Sequence, residues 1–117
     1  MDETTALQIR SRTFVGGIII GAIVGFVLVE HSLRGLIVSG IAGGNFLGEV
    51  GEAYISGATD DIAGAGFTLG FIAGILIALT TPFGITSFVV PFLSGAIGVA
   101  LGYAGFALGR ATKMILP

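Results

Sequence analysis

The sequence predicts an all-α integral membrane protein, a single membrane domain over residues 1–117 built as a glycine-zipper bundle of three to four transmembrane helices. Charged residues make up 10% of the chain and hydrophobic residues 54%, whereas a soluble domain carries about 25% charge. The uncharged residues fall into long runs, and many of the 21 glycines are regularly spaced within them. A soluble enzyme, a disordered tail and a nucleic-acid-binding protein all need more polar or basic surface than this composition supplies.

The first apolar run covers 13–29 and follows a polar N-terminal segment, 1–12, which contains Arg10 and Arg12. As a helix the run is about 26 Å long, just enough to cross the hydrocarbon of a bilayer. It is longer than the usual apolar region of a signal peptide, and no small-residue cleavage pattern follows it. We therefore expect a retained transmembrane helix.

The second run, 35–48, is ambiguous because as a helix it is only about 21 Å long. It could be a short span whose Arg34 snorkels to the interface, a re-entrant half-helix or a helix on the membrane surface. Gly43-Gly44-Asn45 is also a plausible turn that would break it. The next segment, 49–61, is acidic and polar enough to be a water-exposed loop.

Two further runs, 62–81 and 85–109, are long enough to span the bilayer, and a short basic tail, 110–117, follows them. Thr81-Pro82-Phe83-Gly84 predicts a tight turn that makes the two runs an antiparallel hairpin. Pro91 lacks a backbone N–H donor, so a kink is expected near the start of the last run.

The distribution of basic residues favours four spans over three. Lys and Arg concentrate on the cytoplasmic side of membrane proteins. With Arg10 and Arg12 inside, four spans also bring Arg110 and Lys113 inside and leave only Arg34 outside. Three spans plus a re-entrant or surface segment would put most of the basic residues outside. We therefore expect four spans with both termini in the cytoplasm.

Small residues recur at three- and four-residue spacing along every run. Because that spacing opens a groove on one helix face where a second backbone can approach, we expect these faces to be tight helix contacts. The stripes in 13–48 and 62–109 also suggest a duplicated hairpin, although the second helices align only with a gap of several residues. The predicted helix-packing residues are Gly17, Gly21, Gly25, Gly40, Gly44, Gly48, Gly66, Gly70, Gly74, Gly95, Gly98, Gly102, Gly105 and Gly109.

Charged side chains are expected at the ends of the runs. Glu30 and Arg34 are spaced to form an i,i+4 ion pair, with His31 as the alternative core of a pH sensor or weak metal site. The acidic segment 49–61 should be a solvated loop, or else a divalent-cation site or a docking surface for a basic partner. Its possible partner-docking acids are Glu49, Glu52, Asp60 and Asp61.

Polar uncharged side chains within or near the apolar runs are expected to bond a backbone carbonyl in their own helix or in a neighbouring one. A pore lined by these groups is the alternative, but they form no periodic polar face. The residues are Ser39, Asn45, Thr68, Thr80, Thr86 and Ser94.

Catalytic and transport chemistry is not predicted. The runs 13–29, 62–81 and 85–109 contain no ionisable residue, whereas ion-coupled transporters place one at membrane depth. The chain has no cysteine and one histidine, and it lacks a nucleophile–base pair, a phosphate loop and a metal motif. We therefore expect no enzyme activity, no cofactor, no bound metal and no nucleic-acid partner.

The resulting interpretation is a structural or assembly subunit that associates with itself or with other membrane subunits, in a larger membrane complex or a virion membrane. A small oligomeric pore (a channel or a holin-like protein) is one alternative, and an accessory subunit that binds a lipid or pigment is another. The only other expected partners are membrane lipids. The Lys-poor, Cys-free, acidic composition resembles that of haloarchaeal proteins, which points to an archaeal cell or a virus with an internal membrane as the source.

Overall fold

The computed structural model describes residues 3–55, 62–82 and 84–115, and these residues form helices without any strand. The four long helices are α1 (Glu3–Val24), α2 (Leu33–Ile55), α3 (Ile62–Thr80) and α4 (Val90–Ile115). The all-helical prediction is confirmed. Helices α1 and α2 form one antiparallel hairpin and α3 and α4 a second. Helix α2 packs on α4 and also touches α3, whereas α1 packs on α2 alone.

Three helical segments are long and apolar enough to cross a membrane, namely Ser11–Val29, Ile62–Thr80 and Val90–Ile115. Large apolar side chains also lie on the outside of the bundle: Leu79, for example, is 80% exposed. Soluble proteins rarely expose apolar surface of this extent. The fold is therefore that expected of a multi-pass membrane protein.

Helix α1 is longer than the predicted span 13–29 and ends differently from an ordinary α-helix. It begins at Glu3, so most of the predicted polar segment 1–12 is helical. It continues into a π-helical turn, Gly25–Val29, in which the Glu30 backbone N–H donates to the Gly25 carbonyl at 2.8 Å. Together the α-helix and the π turn carry the chain to the turn at residues 30–32.

Helix α2 differs most from the sequence prediction. It runs without a break through Gly43-Gly44-Asn45, so the possible turn there does not form. It also continues past residue 48 to Ile55, which makes the first part of the predicted loop 49–61 helical. With 23 residues, the helix is about 34 Å long, enough to cross a hydrocarbon core of about 30 Å.

The connection between α3 and α4 places Pro91 differently from the prediction. Helix α3 stops at Thr80, and Gly84 then adopts a φ of 66°, a left-handed conformation that favours glycine. A 3₁₀ turn, Gly84–Phe88, leads into α4. Pro91 therefore lies in the first turn of α4, where its missing N–H has no helical partner to lose, rather than inside a helix that it would kink.

The four helices alternate in direction, which gives the bundle two chemically different ends. We call the end that holds the start of α1 and the end of α4 the terminal end. The opposite end, which holds the 30–32 turn and the 81–89 connection, is the turn end. The bundle is 50 Å long and about 25 Å across, comparable to the 40–45 Å thickness of a complete bilayer.

Candidate functional site

The α1–α2 hairpin is a backbone-to-backbone contact. A Cβ added at Gly17 would lie 2.8 Å from Leu47 Cβ and would collide with the Gly43 carbonyl oxygen. A Cβ at Gly43 would in turn collide with the Gly17 carbonyl oxygen, so the contact is reciprocal. Gly21 meets the Ser39 carbonyl oxygen in the same way, and Gly25 meets the Ser39 side chain. Any larger side chain on this face of α1 would force the two helices apart.

The predicted stripe on α2 lies against Ile18 and Phe14 of α1, mainly against their side chains. A Cβ on Gly44 would lie 2.7 Å from Ile18 Cγ1, and one on Gly48 would lie 3.3 Å from the ring of Phe14. Gly40 also faces the Ile18 backbone, at 3.3 Å. These glycines therefore form a shallow groove that receives the apolar side chains of α1.

The α3–α4 hairpin repeats the close backbone approach. A Cβ on Gly66 would lie 2.6 Å from the Gly98 carbonyl oxygen, and Gly98 collides reciprocally with the Gly66 carbonyl oxygen. Gly70 lies against the Ser94 carbonyl oxygen. Nearer the turn end, a Cβ on Gly74 would lie 2.6 Å from Pro91 Cα.

The remaining glycines of α4 divide between side-chain contacts and the other hairpin. Gly95 faces the ring of Phe67 on α3, and Gly102 lies beside Ile62. Gly105 and Gly109, which lie beyond the start of α3, instead approach backbone carbonyl oxygens of α2. The α4 stripe therefore contacts two different helices.

An interhelical hydrogen bond joins the hairpins near the middle of the bundle. Asn45 on α2 is 4% exposed, and its Nδ2 donates to the Gly98 carbonyl oxygen at 2.7 Å. Thr68 and Thr80 bond carbonyl oxygens four residues earlier in their own helix, at 2.8 and 2.7 Å. The expectation that such groups bond backbone carbonyls is confirmed for these three residues.

Of the four predicted docking acids, two lie on helix α2. Glu49 is 3% exposed on α2, where its Cβ lies 3.3 Å from the Cβ position of Gly105 on α4. Glu52 is half-buried on the same helix, and Asp60 and Asp61 fall outside the described residues. Glu49 therefore faces α4 in the interior of the bundle, because α2 extends beyond the predicted boundary.

At the turn end, one arginine connects the two hairpins. Arg34 forms a bidentate ion pair with Glu30, in which Nε donates to Oε2 at 3.0 Å and Nη2 to Oε1. The predicted i,i+4 pair is therefore confirmed. The hydrogen bond from Arg34 holds the pKa of the Glu30 carboxyl below its ordinary value. Sequence reasoning missed the second set of contacts, in which Arg34 Nη1 also donates to Thr81 Oγ1 across the bundle.

His31 lies beside this ion pair but outside it. Its Nε2 is 3.0 Å from the Val27 carbonyl oxygen, and its ring centroid lies 5.5 Å from that of Phe26. Within residues 3–55, 62–82 and 84–115, no three His, Asp or Glu side chains come together as a metal site would require. These contacts are those of a residue that ends the π turn.

Two neighbouring cavities lie between α2 and α3. The deeper one, of about 190 Å³, is also bounded by α4 and is lined almost entirely by apolar atoms. The other, of about 320 Å³, lies at the turn end and includes Glu30, Arg34 and Thr81 in its wall. Val38 and Ile77 line both cavities, so the two lie next to each other, and we call them together the groove between α2 and α3.

Comparison with protein-family models, curated proteins and solved structures gives no significant match to this chain.

Proposed function

We propose that all four helices cross the bilayer. Helix α2 lies along α1 from Gly51, against Thr13, to Gly35, against Gly25. A helix that follows a spanning helix over this length crosses the same depth of hydrocarbon. Of the two glutamates on α2, Glu49 is buried among neighbouring helices and Glu52 is half-buried. Membrane proteins keep charged groups at such interior positions.

The proposed topology has both termini on the cytoplasmic side. Arg10, Arg12, Arg110 and Lys113 belong to the helix segments at the terminal end, whereas Arg34 lies at the turn end. This asymmetry supports a cytoplasmic terminal end, since Lys and Arg concentrate on that side.

The proposed function is that of a non-enzymatic structural or assembly subunit whose own helices pack against one another through their glycine stripes. The observation that supports it best is that the exterior of the bundle is apolar. Among the described residues, the ion pair lies at one end of the bundle. Such a surface meets lipid or other transmembrane helices. Helix α4 additionally exposes Ala96, Ala100 and Ala104 on one face, and small residues let a further helix approach closely.

The polar side chains that a pore would need are already engaged within the bundle. Ser39 lies against Gly25 in the α1–α2 contact, and Asn45 bonds the Gly98 carbonyl oxygen. These contacts favour the structural subunit over the pore. The groove between α2 and α3 favours the lipid-binding alternative as an additional property, which is developed below.

The native mass of the particle after gentle detergent extraction from its own membrane tests the subunit proposal. We expect an assembly larger than one chain, containing either further copies or other chains in fixed ratio. An Ala100→Leu variant should weaken this assembly, whereas Ile19→Leu, on the exposed side of α1, should not. A monomer that carries no other chain at any detergent concentration would overturn the proposal.

A further inference from the structure

We propose that the groove between α2 and α3 binds one hydrocarbon chain of a glycerophospholipid, with the phosphate of its headgroup at Arg34. This inference rests on the proposed membrane topology but adds a specific ligand site to it. The lipid belongs to the leaflet at the turn end. Four features of the groove support this occupant: its polarity gradient, its length, its volume and the state of Arg34.

The wall of the groove changes from polar to apolar with depth. At the turn end it includes Glu30, Arg34 and Thr81. Beyond Val38 and Ile77 the wall becomes apolar, with Ala42 and Ala73 leaving space between the helices. A molecule that fits this gradient has a hydrogen-bonding head and a hydrocarbon tail.

The length of the groove matches one leaflet. Arg34 marks its mouth, and Asn45 lies at its deep end on the same helix. Eleven helical residues separate the two, which corresponds to about 16 Å at 1.5 Å per residue. Half of a hydrocarbon core of about 30 Å is about 15 Å. A lipid chain anchored at Arg34 would therefore end near Asn45, whose Nδ2 is already bonded to α4.

The volume of the deep cavity is large enough for part of a chain. Its 190 Å³ exceeds an apolar cavity of about 150 Å³ that is known to hold a benzene ring. Left empty, a cavity of this size would deprive its lining side chains of dispersion contacts. Ile97 lines the cavity and is 61% exposed, so part of the cavity wall is formed by a residue at the outer surface of the bundle.

Arg34 is held in a position suited to a phosphate. Its side chain keeps 29% of its surface exposed while Glu30 fixes the guanidinium through the bidentate pair. Thr81 offers a hydroxyl beside it. Arginine binds phosphate oxygens through charge-assisted hydrogen bonds. Glu30 and Thr81 accept from three of the five N–H groups and hold the guanidinium at the mouth of the groove. Nη2 keeps one further N–H with which to donate to a phosphate.

Native mass spectrometry of the full chain in mild detergent, titrated with dioleoylphosphatidylglycerol, tests the proposal. We expect one lipid per chain to bind saturably. Val38→Phe, at the junction of the two cavities, should weaken that binding at least tenfold. The matched control is Ile37→Phe on the outer side of α2, where the wild-type residue is 37% exposed, and it should bind like the wild type. Arg34→Gln should weaken phospholipid binding about fivefold.

The outcomes separate this proposal from the proposed topology and fold. Circular dichroism establishes whether Val38→Phe is folded, and Ala42→Leu provides a second, smaller obstruction of the same groove. Equal lipid affinity in folded Val38→Phe, Ala42→Leu and wild type would overturn the site, as would adducts that never saturate. Displacement of the phospholipid by hexadecane at equal concentration would overturn the role of Arg34. Resistance of the chain to alkaline extraction from vesicles is measured separately, so a failure of membrane insertion is recognised as such.

Discussion

Two neighbouring glycines of α1 provide a controlled test of whether close backbone contact stabilises the first hairpin. Gly16 has no atom of another helix within 4 Å of the position that a Cβ would occupy. At Gly17 that Cβ would lie 2.8 Å from both the Gly43 carbonyl carbon and Leu47 Cβ. Substituting each residue with alanine adds the same methyl group to the same helix in two different surroundings.

The expected magnitudes follow from two opposing effects. Gly→Ala in a helix interior gains about 0.8–1.0 kcal/mol of helix propensity, and this gain is common to both variants. At position 17 the methyl group also meets backbone atoms that cannot move aside, and overpacking of this kind costs about 1–3 kcal/mol. We therefore expect the free energy of unfolding of Gly17→Ala to lie about 1–3 kcal/mol below that of Gly16→Ala.

Reversible unfolding in mixed micelles of dodecyl maltoside and dodecyl sulfate, followed by far-ultraviolet circular dichroism, measures this difference. Comparing the two variants with each other cancels the propensity gain. Unfolding free energies that agree within about 0.5 kcal/mol would show that the α1–α2 contact is looser than described. The argument that glycine is required at position 17 would then fail.

Three further predictions concern the hydrogen bond, the ion pair and the topology. Asn45→Leu removes an interhelical hydrogen bond and should lower the unfolding free energy by about 0.6–1.7 kcal/mol; unchanged stability would mean that the bond contributes nothing. Because its pKa is lowered, Glu30 should stabilise the fold fully above its ordinary value of 4.5 and lose this contribution as the pH falls through the lowered value. Glu30→Gln should therefore flatten the acid side of the stability profile, and an unaltered profile would contradict this role. The chain has no native cysteine, so single cysteines at Arg12, His31 and Met114 can be labelled with an impermeant maleimide. Positions 12 and 114 should react from one side and position 31 from the other, whereas three spans would put 12 and 114 on opposite sides.

The sequence predicted the long apolar helices well because long uncharged runs have few alternatives to a helix. The run 62–81 corresponds closely to α3, Ile62–Thr80. The end of α2 could not be predicted in the same way, because Glu49 and Glu52 read as the start of a polar loop. Burial of Glu49 against α4 is a tertiary effect, and local hydropathy does not record which neighbour will cover a charge.

The sequence also could not predict which helix each glycine stripe would contact. Four-residue spacing identifies a helix face but not the helix that will meet it. On α2 the backbone contact with α1 uses Ser39 and Gly43, one position before the predicted stripe of Gly40 and Gly44. The two stripes lie about 100° apart around the helix axis. Only the way α1 packs decides that the first stripe makes the close backbone contact and that the second meets mainly side chains.

The two hairpins use equivalent residues for equivalent contacts, which bears on the possible duplication. Gly17 and Gly43 contact each other reciprocally, as do Gly66 and Gly98. In each hairpin, the second helix also carries a serine one turn before its glycine, and that serine lies against the next glycine of the first helix. Gly66 follows Gly17 by 49 positions, whereas Gly98 follows Gly43 by 55. The glycine stripes of the two hairpins therefore correspond to each other if the second hairpin has six additional residues between its two contact positions.

The hairpins differ where they meet. Helix α1 continues along α2 beyond the reciprocal glycine contact, so that Thr13 covers Gly51. Helix α3 begins at Ile62, beside Gly102, and leaves the last turns of α4 uncovered by its own hairpin partner. Gly105 and Gly109 fill that gap by approaching α2. Because the described part of α3 begins beside Gly102, α4 is free to pack its last glycines on α2, and these contacts join the two hairpins together with the hydrogen bond from Asn45 to Gly98.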